Sequence, residues 1–169
     1  MAEEKKKLKV YCETSFWSFL NGRPTPLAHI ALKQAATLQW WQEIAPKCLL
    51  FVSQHVDAEG ANGNPEMAAQ RKTSIESIPL LDGLRNEIVT LAEKLMEAHA
   101  VPVSEGTDAL HIATAAYYKM DVLLTLNCKH MANPVTLPKT VEVIMKAGYH
   151  APIIITPNDF LERREEFGL

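Results

Sequence analysis

The sequence lacks apolar stretches of membrane-spanning length. Runs such as Val122-Leu123-Leu124 and Ile153-Ile154-Ile155 are far short of the ~20 apolar residues that a transmembrane helix needs. Seven glycines and ten prolines among 169 residues are too few for a collagen-like or low-complexity chain. The three cysteines, Cys12, Cys48 and Cys128, include no CxxC pair. An odd, scattered set of this kind reads as free thiols in a reducing compartment and excludes a disulfide framework or a paired-cysteine zinc site. Charge of one sign is also missing, with 17 Lys and Arg against 20 Asp and Glu and a net charge of −3. That balance excludes a protein that coats nucleic acid by bulk electrostatics, but it is compatible with a local basic rim around an acidic pocket. The start, Met1-Ala2-Glu3-Glu4-Lys5-Lys6-Lys7, is charged and has no apolar signal-peptide core. The expectation is a cytoplasmic protein with no membrane partner.

What the chain does have is a hydrophobic content of 47% and a mass of 18.9 kDa. Such a chain buries about two-thirds of the surface that its unfolded form exposes and needs no staple to fold. One domain over residues 1–169 is expected. Lys7 to Tyr11 alternates polar and apolar residues as a short strand, and Glu13-Thr14-Ser15 then offers capping side chains for a helix. Gly22, Pro24 and Pro26 mark a loop. Leu27, Ala31, Ala35, Leu38, Trp41 and Ala45 recur at steps of three and four, the spacing of a helix face. Leu49 to Val52 is an apolar strand, with Ser53 as N-cap of a short helix reaching Glu59, and residues 66–74 are helical again. Ile78-Pro79-Leu80-Leu81 is an edge strand because of its proline.

Further on, Leu84, Ile88, Leu91 and Leu95 mark a helix, and Thr107 is expected to cap another that runs to about Lys119 with Ile112, Ala113 and Ala116 inward. Residues 122–126 and 153–155 are strands, and short helices are expected at 128–132 and 137–147. Tandem Trp40-Trp41 cannot share one helix face; one is expected in the core, and the other either at an interface or as further cover of the core. Apolar strands alternating with helices imply an α/β three-layer sandwich, a central parallel sheet with helices on both faces. Ligands in such folds collect beyond the carboxyl ends of the strands.

Acids stand at those ends. Glu13 follows the first strand, Asp57 and Glu59 lie a turn or two beyond the second, and Asp82 follows the third. Asp108 opens the helix before the fourth strand, and Asn127 stands at that strand's end. A carboxylate cluster without a glycine-rich phosphate loop suggests a hard divalent cation, Mg²⁺ or Mn²⁺, the usual apparatus for phosphodiester hydrolysis. Each acid taken singly also has a structural reading: the helix macrodipole alone favours Asp108 at a helix start, and Glu59 suits a solvated helix face. Asp121 precedes its strand and reads as a turn residue, and Asp159 after Thr156-Pro157 as a cap of the last helix.

The block Asp108-Ala109-Leu110-His111-Ile112-Ala113, followed by Leu124-Thr125-Leu126-Asn127-Cys128-Lys129-His130-Met131-Ala132-Asn133, resembles the PIN-domain family in its VapC-type toxin branch. Tyr11-Cys12-Glu13-Thr14-Ser15, the Ser53 to Glu59 segment and Thr156-Pro157 resemble that branch in the same order, so the likeness spans about residues 9–161. It implies a PIN-like domain with a core of about residues 7–161. It further implies a Mg²⁺- or Mn²⁺-dependent endoribonuclease, often the toxin of a type II toxin–antitoxin pair, with RNA as substrate, an antitoxin partner and a homodimer. By the same resemblance Glu13, Glu59 and Asp108 stand at the family's first three acids, and Asn127 stands where many members carry a fourth. Glu13 and Asp108 are then expected to hold the metal, and Glu59 to bind it through water or orient the attacking water, while Asn127 positions them from behind. Asp57 and Glu105 are reserves.

Thr14 or Ser15 matches the family's small hydroxyl residue, and Thr14, Ser15, His111, Lys129 and His130 are candidates for substrate contact. His111 has an alternative reading as a packed, hydrogen-bonded histidine, and Cys128 reads as a packing residue. An amide at position 127 removes one negative charge, so one firmly held metal is expected and, at best, a second recruited with the substrate phosphate. The competing reading is a PIN scaffold with weak or no nuclease activity that serves as an RNA- or protein-binding module. A phosphoacceptor receiver domain fits poorly, because only Glu13 follows the first strand.

Overall fold

The computed structural model describes residues 6–169; the charged start read at residues 1–5 lies outside them. Five parallel strands form the sheet in the order β3-β2-β1-β4-β5, with β1 Lys9–Cys12, β2 Leu49–Ser53, β3 Leu80–Leu81, β4 Val122–Leu124 and β5 Ile153–Ile155. Tyr11 pairs with Phe51 on one side and Leu123 on the other. Val10, Tyr11, Cys12 and all of β4 are fully buried. That is why these strands are near-continuously apolar: both faces are covered by helices.

The helices are α1 Thr14–Leu20, α2 Ala28–Glu43, α3 Gln54–Gly60, α4 Pro65–Ile75, α5 Asn86–Glu97, α6 Gly106–Tyr117, α7 Leu137–Lys146 and α8 Pro157–Glu162. α5 packs with α6 and α7, while α2 packs with α1 and α8, giving two helical layers with the sheet between them. Among the described residues no helix is long and apolar enough to cross a membrane. The chain runs outward from β1 to β2 and β3, then returns to place β4 on the other side of β1. This reversal opens a crevice beyond the ends of β1 and β4, the position where doubly wound sheets bind their ligands.

Several local expectations are corrected. The α2 stripe of Leu27, Ala35 and Leu38 stays at the surface, with Leu38 47% exposed. The helix instead turns Thr37 and Trp40 inward, because the indole of Trp40 meets Phe16 and Phe160 edge-to-face at 5.4 and 5.7 Å. Large aromatic area outweighs several small apolar contacts in setting the rotation of the helix. Trp41 packs at 5.6 Å from Trp17, so both tryptophans cover the core.

Thr107 does not cap α6. The turn Val103–Glu105 feeds into the helix at Gly106, with no side-chain cap bond at its start. Residues 128–132 form turns and no helix. The Asn127 carbonyl takes the N–H groups of both Met131 and Ala132, and its side-chain oxygen takes that of His130. One turn is closed there and not propagated. Elsewhere Ser53 caps α3 as expected, whereas the cap of α8 is Thr156 and not Asp159: Thr156 Oγ1 accepts the Asp159 N–H and donates to the Asp159 carboxylate. Asp121 accepts the N–H of Lys9.

The rotation of α2 is testable by denaturant unfolding. Leu123→Ala, in the buried centre of the sheet, is expected to cost about 2–5 kcal/mol. Leu38→Ala, in the exposed stripe, is expected to cost about 1 kcal/mol or less. Comparable losses would contradict the observed helix rotation.

Candidate active site

Glu13 leaves the end of β1 and occupies the N-cap of α1, only 4% exposed. Its backbone N–H donates to Leu124 O at 3.0 Å, which ties the ends of β1 and β4 together. Its carboxylate is held on both oxygens. Oε1 accepts the Ser15 N–H at 3.1 Å, and Oε2 accepts Thr125 Oγ1 at 2.7 Å together with the Ser15 hydroxyl. Ser15 Oγ in turn accepts the Leu126 N–H at 2.8 Å.

Glu59, half-buried in the last turn of α3, uses a single oxygen for its partners: Oε1 accepts Thr14 Oγ1 at 2.7 Å and His111 Nε2 at 2.5 Å. Asp108, in the first turn of α6 and 9% exposed, accepts Asn127 Nδ2 on Oδ2 at 2.9 Å. Among the described residues no hydrogen bond reaches Glu59 Oε2 or Asp108 Oδ1, so each acid keeps an oxygen for a ligand. Glu13, Asn127 and Asp108 are thus linked through Thr125, whose Oγ1 also accepts the Asn127 N–H, while Glu59 is tied to the start of α1 through Thr14. Ligand atoms of Glu13, Glu59 and His111 lie within 4.8 Å of one another, a donor set able to hold a metal ion. Asp108 stands outside that trio and close enough to feel the charge of Glu13.

Their surroundings move two of these carboxyl groups in opposite directions. Burial raises Asp108 to about 6, the charges of Glu13 and Glu105 add to this, and His111 and the Asn127 amide oppose it. Glu59 moves the other way. Burial, its largest single influence, would raise it, but the hydrogen bond and charge of His111 with the Thr14 hydroxyl together bring it below the ordinary glutamate range. Two acids pushed apart at one site are the pattern expected where protonation state matters. Burial also drives the Tyr11 hydroxyl well up, so it remains a phenol.

The candidate substrate contacts divide. Thr14 and Ser15 spend their hydroxyls on Glu59 and Glu13, so they order the carboxylates and do not face outward. His111 is 0% exposed, its ring bonded on both nitrogens to Tyr11 and Glu59, the geometry of a packed, hydrogen-bonded histidine. Lys129 is exposed on the turn after Asn127, and His130 sits beside it with Nε2 3.7 Å from Glu105 Oε1.

Asp57, one of the two reserves, is exposed and lines a hollow with Lys72 and Ala69 between α3 and α4, away from the acids. Cys128, read as packing, is exposed. It borders a mostly apolar cavity of about 400 Å³ against α2 and α8 that is not lined by Glu13, Glu59 or Asp108. Sequence reading missed Thr125 and Tyr11 altogether. The only available signal was a hydroxyl in each of two otherwise apolar strand segments.

Compared with protein-family models and with curated proteins, the chain finds no match. Solved structures do match. The crystal structure of Mycobacterium tuberculosis VapC20, a Sarcin-Ricin loop cleaving toxin, superposes with a TM-score of 0.56 at 14% identity over 83% of this chain and 95% of that one. VapBC2 from Rickettsia felis, bound to a DNA fragment from its promoter, gives a TM-score of 0.57 at 12% identity over 88% of this chain and 98% of that one. The fold is therefore the VapC-type PIN-domain fold.

The raised carboxyl of Asp108 has a consequence for the metal-free protein. A folded-state value of about 6, above the ordinary carboxylate range, means that stability present at low pH is lost as pH rises through about 6. Asp108→Asn removes that charge. Above pH 6 in EDTA the variant is expected to be more stable than wild type by on the order of 1 kcal/mol, solvent screening having reduced the full linkage energy. The gap should close below about pH 4. Thermal melts across pH read this directly, and a variant less stable at pH 8 would contradict it.

Proposed function

We propose that the protein is a Mg²⁺- or Mn²⁺-dependent endoribonuclease and the toxin of a toxin–antitoxin pair. The observation that carries the reading is the set of carboxylates at the β1–β4 crevice: Glu13 and Glu59 have ligand atoms within 4.8 Å of each other, Asp108 feels the charge of Glu13, and Glu59 and Asp108 each keep an unengaged oxygen. VapC20, a loop-cleaving toxin of the same fold, supports the assignment of RNA as substrate. Hard oxygen donors with at most one imidazole nitrogen fit a small divalent cation and argue against a thiolate-loving metal.

In this reading Glu13 and Asp108 hold the cation, and the free oxygen of Glu59 aligns the attacking water. The bound cation would lower the pKa of water and balance charge on the phosphodiester. Asn127 spends its amide N–H on Asp108 and its oxygen on the His130 N–H, so it acts as a strut for Asp108 and favours a single metal. Lys129 is the exposed cation best placed to meet the RNA backbone, with His130 beside it. Partners follow from the same reading: an antitoxin that covers the acidic crevice, and a second copy of the chain in a homodimer. VapBC2, of the same fold and solved bound to a DNA fragment from its promoter, supports the first.

The test is cleavage of end-labelled RNAs in Mg²⁺, Mn²⁺ or EDTA. Wild type is expected to cut only with metal, and Asp108→Asn to lose about 100-fold or more. Equal cutting by both would mark a contaminant and remove the reading. No cutting, and no Mn²⁺ binding by calorimetry, would move the assignment to a PIN scaffold that serves as a binding module. Asn127→Asp carries a separate expectation: it restores a fourth acid, so Mn²⁺ affinity should rise several-fold, while the metal-free protein melts lower because two carboxylates replace a hydrogen-bonded pair.

A further inference from the structure

Behind Glu59 runs a chain of buried hydrogen bonds that metal chemistry alone does not require. The Ser53 N-cap oxygen accepts the His55 N–H at 3.2 Å, Ser53 Oγ and Tyr11 OH lie 2.8 Å apart, Tyr11 OH and His111 Nδ1 lie 2.7 Å apart, and His111 Nε2 meets Glu59 Oε1. Ser53, Tyr11 and His111 are all 0% exposed, so water cannot exchange partners within the chain.

Hydrogen-bond inventory fixes its direction. Ser53 Oγ already accepts from a backbone N–H, so its own proton is free to go to Tyr11 OH. Tyr11 then donates to Nδ1, and the ring proton must sit on Nε2, aimed at a carboxylate that can only accept. In that arrangement every proton has one acceptor. The reverse arrangement of a neutral ring strands the Ser53 proton and turns a bare nitrogen lone pair toward Glu59, and a doubly protonated ring leaves one hydroxyl proton of the Ser53–Tyr11 pair without an acceptor.

We infer that Tyr11 and His111 are positioning residues that act through Glu59: Tyr11 locks the His111 tautomer, and the His111 Nε2–H pins one oxygen of Glu59 so that the other faces the metal or its water. The inference rests on the nuclease reading for its purpose, but not for its geometry. Glu59 needs such a lock. Glu13 is clamped on both oxygens by Ser15 of α1 and by Thr125 just past β4, whereas Glu59 is half-exposed in the last turn of the seven-residue helix α3. A second clamp, Thr14 Oγ1, acts on the same Oε1, so both constraints select one face of the carboxylate. Partners that orient a metal-site group are commonly worth 10- to 100-fold in metal affinity.

Two substitutions separate positioning from packing. The side-chain N–H of glutamine reaches the place of Nε2, and that of asparagine only the place of Nδ1. Mn²⁺ calorimetry is expected to show an affinity about tenfold weaker in His111→Asn, with most of it recovered in His111→Gln. Tyr11→Phe, which leaves Nδ1 unpaired, is expected to weaken Mn²⁺ binding in the same direction. Nitrogen NMR of the imidazole in the metal-free protein is expected to show a proton on Nε2 and none on Nδ1. A proton on Nδ1 in wild type, or His111→Asn and His111→Gln binding Mn²⁺ equally, would overturn the inference even if RNA is cleaved. A wild type that binds no Mn²⁺ would overturn the nuclease reading instead, and the nitrogen spectrum would still decide the direction of the chain.

Discussion

Placing three carboxylates at one edge of a sheet, mostly out of water, is the constraint on which the rest of the site depends. Burial and mutual repulsion both disfavour the charged forms, and an unsatisfied charge in such a place costs more than the fold can tolerate casually. The chain meets this by surrounding the acids with donors that belong to the scaffold. Ser15 and Thr125 serve Glu13, Thr14 and His111 serve Glu59, and Asn127 serves Asp108. Asp108 is raised first by burial and then by the Glu13 charge, with a single such partner to oppose them; Glu59, with two donors on one oxygen, is the one that falls.

Topology supplies these donors from distant points in the sequence. β1 provides Tyr11, and its cap region provides Glu13, Thr14 and Ser15, while the residues just after β4 provide Thr125 and Asn127. α3 and α6, which lie far apart in sequence, contribute Glu59 and His111. Parallel pairing of β1 with β4 sets Cys12 opposite Leu124, and the Glu13 N–H continues that ladder by one bond. The acid therefore has its place because the sheet's hydrogen bonding extends one residue past the strand.

Much of this order was legible in the sequence. Continuous apolar runs gave away doubly covered strands, and a proline demoted the third to an edge, where it is found. The acids at strand ends pointed to one crevice, and the family resemblance, not helix spacing, preferred Glu59 to Asp57. Helix rotation and termini were less visible. The steps of Leu27, Ala31, Ala35 and Leu38 describe a helix but not which face is inward, because Trp40 and its aromatic neighbours in α1 and α8 decide that through tertiary contact. Helices α5 and α6 also end without the glycine that usually marks a stop. His99 and Lys119 adopt the left-handed conformation there, with φ of 57° and 55°, and backbone N–H groups of Ala100 and Met120 close back on Leu95 and Ala115. Nothing in a lysine or a histidine announces that role.

The polar residues inside the sheet were the least legible, and they bear most directly on the chemistry. Tyr11 and Thr125 sit in segments whose pattern reads as core, and by periodicity alone a tyrosine or threonine there is a packing residue that satisfies its own hydroxyl. The contacts reverse that priority. Thr125 Oγ1 donates to Glu13 and also accepts the Asn127 N–H, so one hydroxyl sets both the first acid and the turn that carries the strut for Asp108. Tyr11 reaches the helix layer and joins α6 to the Ser53 cap of α3. A core position on this sheet thus carries two obligations, apolar packing along the ring or methyl and a directed hydrogen bond at the tip. Phenylalanine or valine would meet only the first.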